Sequence, residues 1–113
     1  MKVSFEGIGE QVISFAAASG LTKGVFVKMS ANGTVTACSA GDGFAGYCIE
    51  SEGGFAEVKT HGYMKCPYTG TAPSVGFGIL VADAGGKVKS AQSGTAYLIV
   101  EVDTTAGTVG FMM

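Results

Sequence analysis

Between residues 24 and 50 the side chains change character in a two-residue rhythm. Val25, Val27 and Met29 alternate with Phe26 and Lys28, Thr34 and Thr36 flank Val35, and 44–50 reads Phe-Ala-Gly-Tyr-Cys-Ile-Glu. A period of two is that of a half-buried strand. Asn32-Gly33 supplies the positive backbone angles of a two-residue hairpin, and Ala40-Gly41-Asp42-Gly43 is a second turn by composition. The stretch therefore predicts strand, tight turn, strand, turn, strand.

The flanks follow the same grammar. Lys2, Val3, Ser4, Phe5 and Glu6 alternate, Gly7-Ile8-Gly9 interrupts, and 11–15 resumes as a second strand. Ala16-Ala17-Ala18-Ser19-Gly20 is too short for an independent helix and is expected to connect. In 55–61, Ala56, Val58 and Thr60 face one way and Phe55, Glu57, Lys59 and His61 the other, with the charged side solvated or partner-facing. Gly62 allows a bend, Pro67 is expected to end regular pairing because it cannot donate to a ladder, and 69–74 is a polar loop. In 97–103, Leu98, Val100 and Val102 are expected inward and Tyr97, Ile99, Glu101 and Asp103 outward. Residues 108–113 are apolar enough to form a paired terminal strand.

The second half echoes the first at an offset near fifty residues. Residues 76–81 stand where 24–29 stood, Gly86 matches Gly33, Tyr97 matches Tyr47, and Gly107 matches Gly54. Two copies of one β-unit, each with an apolar face it cannot bury alone, would form a pseudo-symmetric sandwich or small barrel. Chance matching among glycine-punctuated strands is the alternative. The expected fold class is all-β: one domain over 1–113, a small barrel or sandwich of antiparallel hairpins, with 1–15 as an N-terminal strand segment available as an edge.

Composition narrows the function. The chain has 113 residues, of which 47% are hydrophobic and 14% charged, with 19 glycines. Such a length buries roughly two thirds of its exposable surface on folding, enough for one core. Lysine supplies every positive charge and the net charge is -2. That leaves no basic stripe for phosphates, so nucleic acid is not an expected partner. The apolar runs are shorter than the roughly 20 residues that span a bilayer, and the opening residues lack a signal-peptide core, so no membrane partner and synthesis in a cytoplasm are expected. Cys38, Cys48 and Cys66 are odd in number without CxxC spacing, and are expected as small buried hydrophobes rather than a disulfide framework or zinc site.

No catalytic constellation emerges, so no enzyme, no cofactor and no metal site are expected. Gly41, Gly43 and Gly46 fit GxGxxG literally, but that fingerprint needs a helix N-terminus behind it, and here a strand follows. His61 is the only histidine, and no cysteine is spaced to pair with it; Cys66 lies beyond a glycine on the opposite strand phase. Glu50 and Glu52 share a strand phase, as do Glu101 and Asp103. Together with Asp42, the first pair would hold a cation only if other loops supplied oxygens.

Residues 21–35, reading Leu-Thr-Lys-Gly-Val-Phe-Val-Lys-Met-Ser-Ala-Asn-Gly-Thr-Val, then Ala40-Gly41-Asp42 and Gly46, then 58–62, Pro67 and 73–81, resemble the small β-rich head-decoration proteins of tailed phages and prophages. The resemblance covers most of the chain at the level of pattern. It implies a non-enzymatic virion protein, made in the bacterial host, that docks on the major capsid protein of the assembled head and stiffens the shell. It also implies a homo-oligomer, with a trimer favoured. Family members add an N-terminal segment to the capsid lattice, a role that would fall here on Lys2, Val3, Phe5, Gln11 and Ile13. The chain lacks the long Pro- and Thr-rich arm of the best-known members. The rival readings are a carbohydrate- or receptor-binding β module of a tail or fibre and a small metal-dependent hydrolase.

Overall fold

The computed structural model describes residues 9–113, and all the described secondary structure is β. The strands are β1 (Gln11–Ala17), β2 (Phe26–Ala31), β3 (Thr34–Ala37), β4 (Gly46–Glu52), β5 (Phe55–His61), β6 (Tyr63–Thr69), β7 (Gly76–Asp83), β8 (Lys87–Ser90), β9 (Ala96–Asp103) and β10 (Thr108–Met112). They close into two five-stranded barrels, β1-β3-β2-β4-β5 and β6-β8-β7-β9-β10. The all-β expectation holds, and the repeat is architectural: each half of the chain closes its own barrel with the same strand order, rather than the two halves sharing one sandwich or barrel.

Pairing registers fix which residues correspond. Ala17 lies beside Val35 in the parallel β1–β3 pair, as Tyr68 lies beside Val88 in β6–β8. Val27 faces Ala37 across β2–β3, as Leu80 faces Ser90 across β7–β8. Cys48 faces Val58, as Ile99 faces Phe111. Val27 therefore corresponds to Leu80, Val35 to Val88, Cys48 to Ile99 and Val58 to Phe111, and all eight are buried. The glycine pairs Gly33/Gly86 and Gly54/Gly107 keep the expected offset. Aligning 24–29 with 76–81, and Tyr47 with Tyr97, is one residue out, which in a strand exchanges inside for outside.

The barrels are joined by side chains of the first inserted into the second. Phe26 and the half-buried Phe44, Tyr47 and Cys38 pack with Leu80, Ala82, Val88, Ile99, Val109 and Phe111 in the larger core, while Val27, Val35, Cys48, Ala56 and Val58 form the smaller one. Phe44 stacks on Tyr97 with centroids 5.2 Å apart and planes 5° from parallel, and sits 4.4 Å from Phe26 and 6.2 Å from Phe111. Backbone follows side chain: Gly41 N–H donates to the Ala82 carbonyl, and Ala82 N–H donates to the Asp42 carbonyl, each at 2.8 Å. These bonds occupy the edge of β7 that β9 leaves open beyond Ile79.

Several local expectations change. Gly33 has φ 63°, but among the described residues no non-glycine has positive φ, so Asn32-Gly33 is not the mirror-image turn with two positive angles; a register shift between Met29 and Ala31 accompanies it. The third strand begins at Gly46, leaving Phe44 in a loop. Pro67 lies inside β6 opposite Thr108. Tyr68 N–H points to β10 by donating to Gly107, so the missing Pro67 N–H falls on the other side, where β8 pairing starts only at Tyr68. In β9, Ile99 is buried and Leu98 exposed, opposite to expectation, because a bulge opposite Gly110/Phe111 reverses the phase before Val102 packs inward. Residues 16 and 17 extend β1, and Thr69 ends β6.

Candidate functional site

Lys2, Val3 and Phe5, expected at a partner contact, lie outside the described residues. Gln11 and Ile13 are both exposed on β1. From Gln11 to Ala16 this strand pairs with β5, and β3 joins it only at Ala16 and Ala17. Val12 and Ile13 are both more than a third exposed, on opposite faces of the strand.

Several of the side chains that the sequence offered as candidate chemistry are engaged locally. Asp42 accepts from the Lys28 amine at 2.6 Å and from Ser39 N–H at 2.8 Å, which holds its carboxyl below the usual carboxylate range; the Lys28 amine is raised by the same bond. It does not group with Glu50 and Glu52, which line a shallow groove with Ser14, Phe55 and Glu57. Among the described residues no three His, Cys, Asp or Glu side chains lie together as metal ligands. Glu101 accepts from the Tyr63 hydroxyl and lines an open groove with Lys65 and Asp103. His61 is exposed, its Nδ1 3.1 Å from the Thr60 hydroxyl.

The cysteines divide. Burial pushes the Cys66 thiol up to about 12, and burial followed by the Asp42 charge pushes Cys38 up to about 11. Both stay protonated at neutral pH, which removes the thiolate that nucleophilic chemistry requires. Cys48 and Cys66 are the buried small hydrophobes expected; Cys38 is only half buried. Gly41 and Gly43 sit in the loop before β4, and Gly46 opens that strand, where a Cβ would overlap the Lys59 carbonyl oxygen and Val58. The glycines serve strand packing there.

What the surface does present is apolar. Among the described residues the exposed large hydrophobics are Val12, Ile13, Met29, Ile49, Phe55, Val75, Phe77 and Leu98, and Phe77 reaches 81% exposure. Phe77 and Leu98 are directly paired across β7 and β9, so both side chains stand on one face, with Val75 two residues along. Ile13 and Met29 instead follow the inward phase of their strands, opposite Val58 and Val35, and are exposed because the end of the first barrel is open. The sequence reading missed Phe77: its flanking glycines, Gly76 and Gly78, were the available signal, since they leave the ring without neighbours along its own strand. Comparison with family models and with curated proteins gives no match.

Proposed function

We propose that this chain is a structural virion protein that decorates and stabilises the outside of an assembled phage head, by adhesion and without catalysis. The observation that supports it is the set of large apolar side chains left exposed among the described residues, from Met29 and Phe55 on the first barrel to the directly paired Phe77 and Leu98 on the second, on a chain only 14% charged. Contiguous exposed apolar side chains on a small β scaffold suit a protein that works inside an interface. Closed barrels add rigidity, which a stiffening role requires, and leave few unpaired edges for indiscriminate aggregation. Repetition over many equivalent shell positions turns a modest contact into a tight one. The major capsid protein is the partner, reached through the N-terminal segment that leads into β1.

The test uses expanded heads of the phage or prophage that, on this reading, carries this chain. Purified protein is expected to sediment with them saturably. Removal of residues 1–6 is expected to weaken binding while leaving the melting transition in place. Protein that stays in the supernatant at every concentration would rule the reading out.

A further inference from the structure

Inside the chain, one end of the second barrel is stopped by the first. That end comprises Ala82, the turn at Gly86, Tyr97, Phe111 and the start of β6 at Met64. Phe26, Phe44 and Tyr47, from the outer side of β2 and β4 and the loop between β3 and β4, cover it. The backbone contact is tight: Gly86, at φ 76°, lies so close to Gly24 that a Cβ would overlap the Gly24 carbonyl oxygen.

The repeat supplies a counterpart for each side of this contact. By register, Ala82 corresponds to Met29, Gly86 to Gly33, Phe111 to Val58 and Met64 to Ile13. These residues form the corresponding end of the first barrel. Ala82 is fully buried and Met64 packs against the core, whereas Met29 is 48% and Ile13 38% exposed. On the other side, the outer face of β2 and β4 corresponds to the outer face of β7 and β9. The register between those two strands differs by two residues, which preserves the facing. Tyr47 then corresponds to Leu98 and Gly24 to Phe77. The first-barrel face is covered; on the second-barrel face Phe77, Leu98 and Val75 are open. Among the described residues, five of the eight exposed large hydrophobics thus fall on the two halves of a contact the chain already makes once.

We infer that a second copy of this chain completes it: the β7–β9 face of one copy docks on the open end of the first barrel of the next, around Ile13, Met29 and the Gly33 turn. The contact is head-to-tail, using different surfaces on the two copies. Phe77 supplies the aromatic ring that Phe26 and Phe44 supply within the chain. A Cβ at Gly33 would meet nothing within 4 Å in the isolated chain, so the turn is free to receive a neighbour as Gly86 receives Gly24. Ile13 belongs, on this reading, to the contact between copies rather than to the shell. The inference does not depend on shell binding, and self-association is measured without shells.

Sedimentation velocity across a concentration series is the test. The intact chain is expected to self-associate. Phe77→Asp and Met29→Asp are each expected to weaken the association by about tenfold or more, as truncation of a central contact residue does. An equimolar mixture of the two variants retains one undamaged face and one undamaged barrel end, and is expected to form a 1:1 complex. Ile13→Asp replaces Met29→Asp if the latter lowers the melting temperature. A wild-type chain that stays monomeric throughout would overturn the inference. So would association unaffected by both barrel-end substitutions, because a two-fold contact through Phe77 alone predicts that result.

Discussion

Phe111 is fully buried where the two barrels meet, 5.4 Å from Tyr97 and 6.2 Å from Phe44. Its truncation to Ala is expected to cost about 3–5 kcal/mol of stability by chemical denaturation, the range for emptying a large aromatic from a core. Cys66 gives a pH signature. Its folded-state thiol titrates at about 12 against an ordinary 9.0, so the neutral thiol is favoured by folding. Its contribution is complete below pH 9 and is lost as pH rises from 9 towards 12, with a slope approaching about 1.4 kcal/mol per pH unit. Denaturation between pH 9 and 10.5 is expected to show a steeper fall of stability in the intact chain than in Cys66→Ala, the difference approaching that slope, while Cys38 contributes to both. Asp42 has the opposite sign. Its carboxyl is depressed by the Lys28 hydrogen bond and then by Ser39 N–H, so its contribution is present at neutral pH and is lost as pH falls through the depressed value. The gap in melting temperature between the intact chain and Asp42→Asn is expected to close under acid.

At the scale of elements, two turns provide an internally controlled comparison. Gly33 and Gly86 occupy corresponding positions and both have positive φ, so replacing either by Ala incurs the left-handed penalty of about 1–2 kcal/mol. Only Gly86 also faces a backbone carbonyl across the barrel junction. Gly86→Ala is therefore expected to lower the melting temperature more than Gly33→Ala, and equal losses would contradict the packing described at the junction. These strands also show how far periodicity carries. The alternation in 55–61 correctly puts Ala56 and Val58 inside, because residues 55–59 pair with β1 in regular register; at Thr60, which the pairing skips, the face is only half-buried. The same reasoning reversed Leu98 and Ile99, because a bulge has no signature in a run of Leu, Ile and Val. In β2 both phases are buried: Val27 faces its own barrel and Phe26 faces the other. Alternation signals one buried face and cannot report a second barrel outside it.

For the whole molecule, the repeat near fifty residues was legible because turn glycines such as Gly33/Gly86 and Gly54/Gly107 mark it. Separate closure of each copy was not, since barrel closure depends on parallel β1–β3 and β6–β8 pairs between residues 18–20 positions apart. Phe44 was legible as an apolar residue but not as the plug of the neighbouring barrel. The apolar contact surfaces were harder still, because exposure of Met29 and Phe77 is decided by which barrel end and face remain uncovered. The two barrels meet in a shared core, and the proposed task of the whole is to adhere to a shell lattice. The most direct check is the ratio of this chain to the major capsid protein on heads saturated with it, measured by quantitative densitometry. A plateau at a fixed ratio set by the lattice is expected. An absence of binding, or a ratio that keeps climbing with added protein, would contradict it.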